Sequence, residues 1–234
     1  MKFGNWGKKR LQRSEITPGG SEMLRYAEVE PLMGIPPESA DRDRKRRERV
    51  YDELFGPSET VYHEVGFDLP HVDVYTCPPG YSGRDFYTLV TGGMSDLSMR
   101  VPRGVSANRA ELVMYVSEPK EVYLKILRFL AHFPHDHRTW FGHGHTFPNG
   151  QPPQPYFESS VLDTILFLDS IVRPDATLEQ RLKIEKDPVH LLWVVPITTA
   201  ESELKLQKGT NALLDLFDRY DHPFVLDEKR RSFV

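Results

Sequence analysis

Cysteine is almost missing from this sequence: Cys77 is the only one in 234 residues. A single thiol excludes an intramolecular disulfide framework and any zinc or iron–sulfur site built from several cysteines, and it suits a reducing compartment. Long apolar runs are missing too, so no bilayer-spanning helix is expected. Residues 1–17 are basic but carry no apolar stretch of signal-peptide length, and the chain reads as cytoplasmic. Charge of one dominant sign is the third absence. A net charge of -4 with 27% charged residues gives no global field that recruits nucleic acid or marks an acidic tail protein. What is present is a 39% hydrophobic fraction, enough for the core of one large domain or two small ones.

Residues 1–38 mix Lys, Arg, Gly and Pro without a sustained apolar period, with Pro18-Gly19-Gly20 and Pro36-Pro37 as breakers. They read as an irregular arm in which only 23–29 has the pattern of an edge strand. The domain is expected to span 39–234. Its first helix starts at Ser39, with Ser39 and Asp41 as caps and Val50, Leu54 and Phe55 as the apolar face, and stops at Gly56-Pro57. The middle of that helix, 42–49, is the densest charge run in the chain. Such a run can track phosphates, but Asp43 and Glu48 are interleaved with the bases and no stacking aromatics are. A solvated helix face is therefore preferred, and nucleic acid is not expected as a partner.

Strand periods follow at 61–68, 71–77, 85–91 and 109–117. After Pro119, Val122, Ile126, Leu127, Leu130 and Phe133 recur at helical spacing and predict an amphipathic helix lying on the sheet. Further strands are expected at 139–147, 162–169 and 189–197. The nearly continuous run Leu191-Leu192-Trp193-Val194-Val195 suits a central strand buried on both faces. Thr198 and Glu201 have capping-box spacing, and a Thr210 cap followed by Leu213, Leu214 and Phe217 gives a closing helix. Strands dominate the middle and helices enter without strict alternation. The fold class is α+β, a mixed, largely antiparallel sheet with helices packed on it.

Enzyme-like features are few. His132, His135, His137, His143 and His145 fall in one short stretch, and His143 and His145 would share a face if they lay on a strand. Neither HExxH nor a comparable ligand spacing accompanies them, so a structural or surface role is preferred to a metal site or a metal-dependent enzyme. Cys77 precedes two prolines and has no identifiable base. Ser82, in Gly80-Tyr81-Ser82-Gly83, is not a nucleophile elbow. Gly92-Gly93 lacks both dinucleotide and Walker spacing. No catalytic residue and no cofactor is expected.

The string DFYTLVTGGMSDLSM at 85–99 is more specific than any of these motifs, and it resembles a segment of suppressor-of-fused domains. The same order of matches continues before and after it: His71-Val72-Asp73-Val74-Tyr75, Ala110-Glu111-Leu112, Trp140-Phe141-Gly142-His143-Gly144-His145-Thr146 and Leu192-Trp193-Val194-Val195-Pro196-Ile197-Thr198. The resemblance runs from about residue 51 to the C-terminus. It implies the bacterial single-domain form of that family, a sandwich of the SUKH superfamily, many of whose members are thought to be immunity proteins that neutralise toxin domains. It implies a non-enzymatic protein-binding role, with a toxin domain or a peptide segment added as a strand as the partner. Carried onto this sequence, the peptide-facing segment is the 86–91 strand and its turn, with Tyr87, Thr91, Ser95 and Asp96 as binding residues.

Overall fold

The computed structural model describes residues 12–25, 34, 39–66 and 68–234. In chain order the elements are β1 (Gln12–Ile16), β2 (Glu22–Arg25), α1 (Ala40–Phe55), β3 (Thr60–Tyr62), β4 (Asp73–Cys77), β5 (Tyr87–Gly92), β6 (Ala110–Val116) and α2 (Glu121–Asp136). They continue with β7 (Thr146–Pro148), β8 (Thr164–Asp169), α3 (Leu178–Arg181), β9 (Lys183–Ile184), β10 (Asp187–Pro188), β11 (His190–Ile197), α4 (Thr199–Lys208) and α5 (Thr210–Arg219). One seven-stranded sheet has the order β3-β4-β5-β6-β11-β8-β7. All its pairs are antiparallel except β6 with β11, so the sheet is mixed and largely antiparallel.

Alternation along the inner strands explains their unbroken apolar runs. On β6, Val113 and Tyr115 face the side covered by α1 and α5, while Leu112, Met114 and Val116 face α2. On β11, Trp193 and Val195 take the first side and Leu192 and Val194 the second. Helix α2 lays Tyr123, Ile126, Leu127 and Leu130 on the sheet. Burying Leu127 and Leu130 completely contributes about 1.5–3 kcal/mol each. Among the described residues no helix is long and apolar enough to cross a membrane.

Three expected elements differ from those observed. The strand at 61–68 ends at Tyr62, because Glu64 N–H turns to Asp73 Oδ1 (3.0 Å) instead of continuing the ladder. The strand at 139–147 shrinks to β7, since Arg138 (φ 52°) and Gly144 (φ 78°) break the extended backbone. Thr210 is the first helical residue of α5 and Gly209 is its N-cap. The Thr198–Glu201 capping box forms in full at the start of α4. Of the arm, β1 and β2 pair with each other in a separate two-stranded sheet, and Gly19 N–H donates to Leu206 C=O of α4 at 2.7 Å. The edge strand expected at 23–29 is observed at Glu22–Arg25; 26–29 and Pro36-Pro37 lie outside the described residues.

Candidate functional site

The pairing registers bring the end of β3, the start of β4, the end of β5 and the starts of β6 and β11 to one end of the sheet. Polar side chains collect there. β5 runs out through Gly92-Gly93 into a tight turn at Met94–Asp96. Gly93 has φ 126°, and a Cβ on it would lie 1.9 Å from the His71 carbonyl oxygen, so only glycine fits.

Behind this turn Glu111, fully buried on β6, gathers the chain around its carboxylate. Oε1 accepts from Gly93 N–H (2.9 Å), Ser95 N–H (3.1 Å) and Ser95 Oγ–H (2.6 Å), and Oε2 accepts from Thr91 Oγ–H (2.7 Å). Burial pushes the Glu111 carboxyl above its ordinary range, and the Arg47 guanidinium, then Ser95, Thr91 and Gly93, pull against that. Arg47 enters from α1 with Nη1 3.6 Å from Glu111 Oε1 and 2.6 Å from Asp96 Oδ1. Burial opposes its charge, but Glu111 and Asp96 outweigh burial and keep it firmly protonated. Arg109 ties the outer side of the turn, donating to the carbonyls of Ser95 (2.8 Å) and Asp96 (3.0 Å) and to Glu185 (2.8 Å). His135 Nε2 donates to the Met94 carbonyl at 3.0 Å, which fixes its tautomer. Four side chains from outside it, those of Arg47, Arg109, Glu111 and His135, thus hold one short turn in a single shape.

A second cluster adjoins it. Glu64 accepts from Val72 N–H (2.7 Å) and meets His132 Nε2 at 2.8 Å, while Asp73 lies 3.2 Å from His63 and 3.5 Å from His71. Burial would raise the Glu64 carboxyl, but His132, Val72 and Arg128 leave it below its ordinary value.

The four residues expected to bind a partner do not form one patch. Thr91 and Ser95 are fully buried and engaged with Glu111. Asp96 reaches the surface, its side chain 15% exposed. Tyr87 is half-buried at the far end of β5, packed against the α2 side. The expectation that this strand could receive an added strand is corrected by the ladder: β5 is paired on both sides, with β4 and with β6. The outer strands are β3 and β7.

The histidines disperse. His143 is exposed beside Asp169 (3.0 Å), whereas His145 turns inward against Trp140. Burial depresses the His145 imidazole to about 4. His137 stacks on Phe133. Among the described residues no three His, Cys, Asp or Glu side chains are arranged to hold a metal ion. Cys77 is buried, which pushes its thiol up to about 12. Arg47, Arg109 and Glu111 were not foreseen. An acid inside the apolar run of β6 is a readable signal, but Arg47 cannot be told from its neighbours in the 42–49 charge run.

The family model described as Suppressor of fused protein (SUFU) matches residues 68–231. A comparison with curated proteins gives no match. Among solved structures, the fold is similar to that of a SUFU (suppressor of fused protein) homolog from Neisseria gonorrhoeae FA 1090, with TM-score 0.64 and 17% identity over 83% of this chain and 98% of that one. It is similar to a chain of the Sufu–Fu complex (TM-score 0.57, 14% identity, 85% and 93% covered). It also resembles Drosophila Suppressor of Fused (TM-score 0.53, 14% identity), of which it spans about half, 52%, while 86% of this chain is covered. At these identities the likeness is one of fold.

Proposed function

We propose, from the premise that this chain belongs to the suppressor of fused family, that it works by binding a protein partner and performs no chemistry. The observation that carries the reading is the turn at Met94–Asp96, fixed by Glu111, Arg47 and Arg109 with Asp96 at its surface. Acids and bases here are spent on one another, and a turn fixed in advance loses little entropy when a partner meets it. A solved complex with a similar fold, Sufu–Fu, supports the same reading.

In this reading residues 39–234 form the binding domain and 1–38 precede it as an arm. The domain is cytoplasmic and of the immunity or adaptor type, sequestering a toxin domain or a peptide. Asp96 touches the partner, Thr91 and Ser95 hold the turn from behind, and Tyr87 contributes at the other end of β5. A peptide added as a strand would pair with β3 or β7, which lie at the sheet edges.

The test is affinity capture from the native cell, followed by a titration of the recovered partner against the intact chain, Asp96→Ala and Arg103→Glu. One specific partner is expected, with binding about tenfold weaker for Asp96→Ala and unchanged for the exposed Arg103→Glu. Recovery of no specific partner would overturn the function. Equal binding by all three proteins would remove the turn from the interface.

A further inference from the structure

Helix α1 is fixed to the sheet by one face and open on the other. Val50, Leu54 and Phe55 enter the core and Arg47 reaches Asp96, while Arg42, Lys45, Arg46 and Arg49 lie outside and line one shallow depression beside Asp41. Their spacing of i, i+3, i+4 and i+7 makes a single stripe, about 10 Å long at 1.5 Å per residue. Neutralisation along it is uneven. Lys45 lies 2.8 Å from Asp41, and Arg42 lies 3.5 Å from Asp43. Arg46 donates to the Lys183 carbonyl at 2.9 Å, and among the described residues neither Arg46 nor Arg49 has a carboxylate partner. Both ends of the stripe turn acidic, at Asp41 and at the exposed Asp52, while Glu53 beside it lies 3.6 Å from Arg181.

We propose that this stripe docks a short acidic segment of a protein partner, a few carboxylates laid across the outer face of α1. The charge pattern selects that occupant. About three residues of extended chain span 10 Å, so a run of Asp or Glu can meet all four cations and stop short of the flanking acids. Duplex DNA carries a charge about every 1.7 Å and continues past both ends, onto Asp41 on one side and Asp52 on the other. No aromatic side chain lies within the stripe to stack on a base. The site goes beyond the reading above and does not depend on Asp96 touching a partner.

Fluorescence anisotropy with a dye-labelled peptide of four glutamates flanked by glycines and the full chain tests this, run beside a single-stranded oligonucleotide of equal charge. The peptide is expected to bind, more weakly as salt rises from about 50 to 200 mM. Arg46→Glu/Arg49→Glu should weaken it at least about tenfold, and Arg103→Glu less than about twofold. Both stripe positions are exposed and the one bond given up is that of Arg46 to the Lys183 carbonyl, so the doubly substituted chain should melt close to the parent. Should its melting temperature fall, Arg46→Gln/Arg49→Gln provides the same comparison without reversing charge. Absence of peptide binding at low salt, or binding indifferent to Arg46 and Arg49, overturns the proposal. An oligonucleotide that binds more tightly than the peptide through the same two arginines overturns it as well, by making the stripe a nucleic-acid site.

Discussion

His135, His145 and His222 are enclosed enough that burial, the leading cause in each, lowers their imidazoles to about 4. In the unfolded chain each titrates near the ordinary histidine value of about 6.5. Between those two values the unfolded chain binds protons that the native one does not, so stability is expected to fall steadily as pH drops from about 6.5 to about 4, by on the order of 1–3 kcal/mol per histidine. Glu64 and Glu201, depressed below their ordinary values, extend the loss to lower pH. Urea midpoints at pH 7 and pH 5 check this, and a midpoint that does not move would refute it. At the same scale, Cys77 should ignore a thiol reagent in the native state and react promptly in denaturant, because its thiol is buried and pushed up to about 12.

Among the elements, α4 and the chain end after α5 are stapled by one buried acid. Glu201 closes the capping box with Thr198 and also takes both Arg230 Nη atoms at 2.7 Å and Phe233 N–H at 3.1 Å. Thr198→Ala removes one cap contact and is expected to cost about 1 kcal/mol. Arg230→Ala leaves a buried carboxylate without its partner and is expected to cost about 3–5 kcal/mol. Chemical denaturation of both variants separates the two, and an Arg230→Ala loss no larger than that of Thr198→Ala would sink the staple. The capping box was legible in sequence because its signal is local, as were α2 and β11, whose apolar periods are long. Residues 61–68 and 139–147 misled because strand propensity cannot see a long-range acceptor such as Asp73 or a positive φ such as that of Gly144. The 85–99 segment was legible as a family string. Its burial was not, since Glu111 and Arg47 meet Thr91, Ser95 and Asp96 only through sheet register and the docking of α1.

For the molecule as a whole, the sheet sets a gradient of local stability. β5, β6 and β11 are paired on both edges and covered on both faces, whereas β3 and β7 are three residues long and paired on one edge. Native-state hydrogen exchange is expected to be slowest in the first set and faster in the second by at least an order of magnitude; uniform protection across all seven strands would contradict it. The parallel ladder of residues 110–113 with 190–193 joins segments roughly eighty residues apart in sequence. The chain between its two halves carries α2, β7 and β8, so closing the join costs the entropy of a long loop. Refolding is therefore expected to be slow for a chain of this length, with closure of β11 against β6 as the late event and the 73–116 meander as the early one, an order that pulse-labelled hydrogen exchange during refolding reads directly.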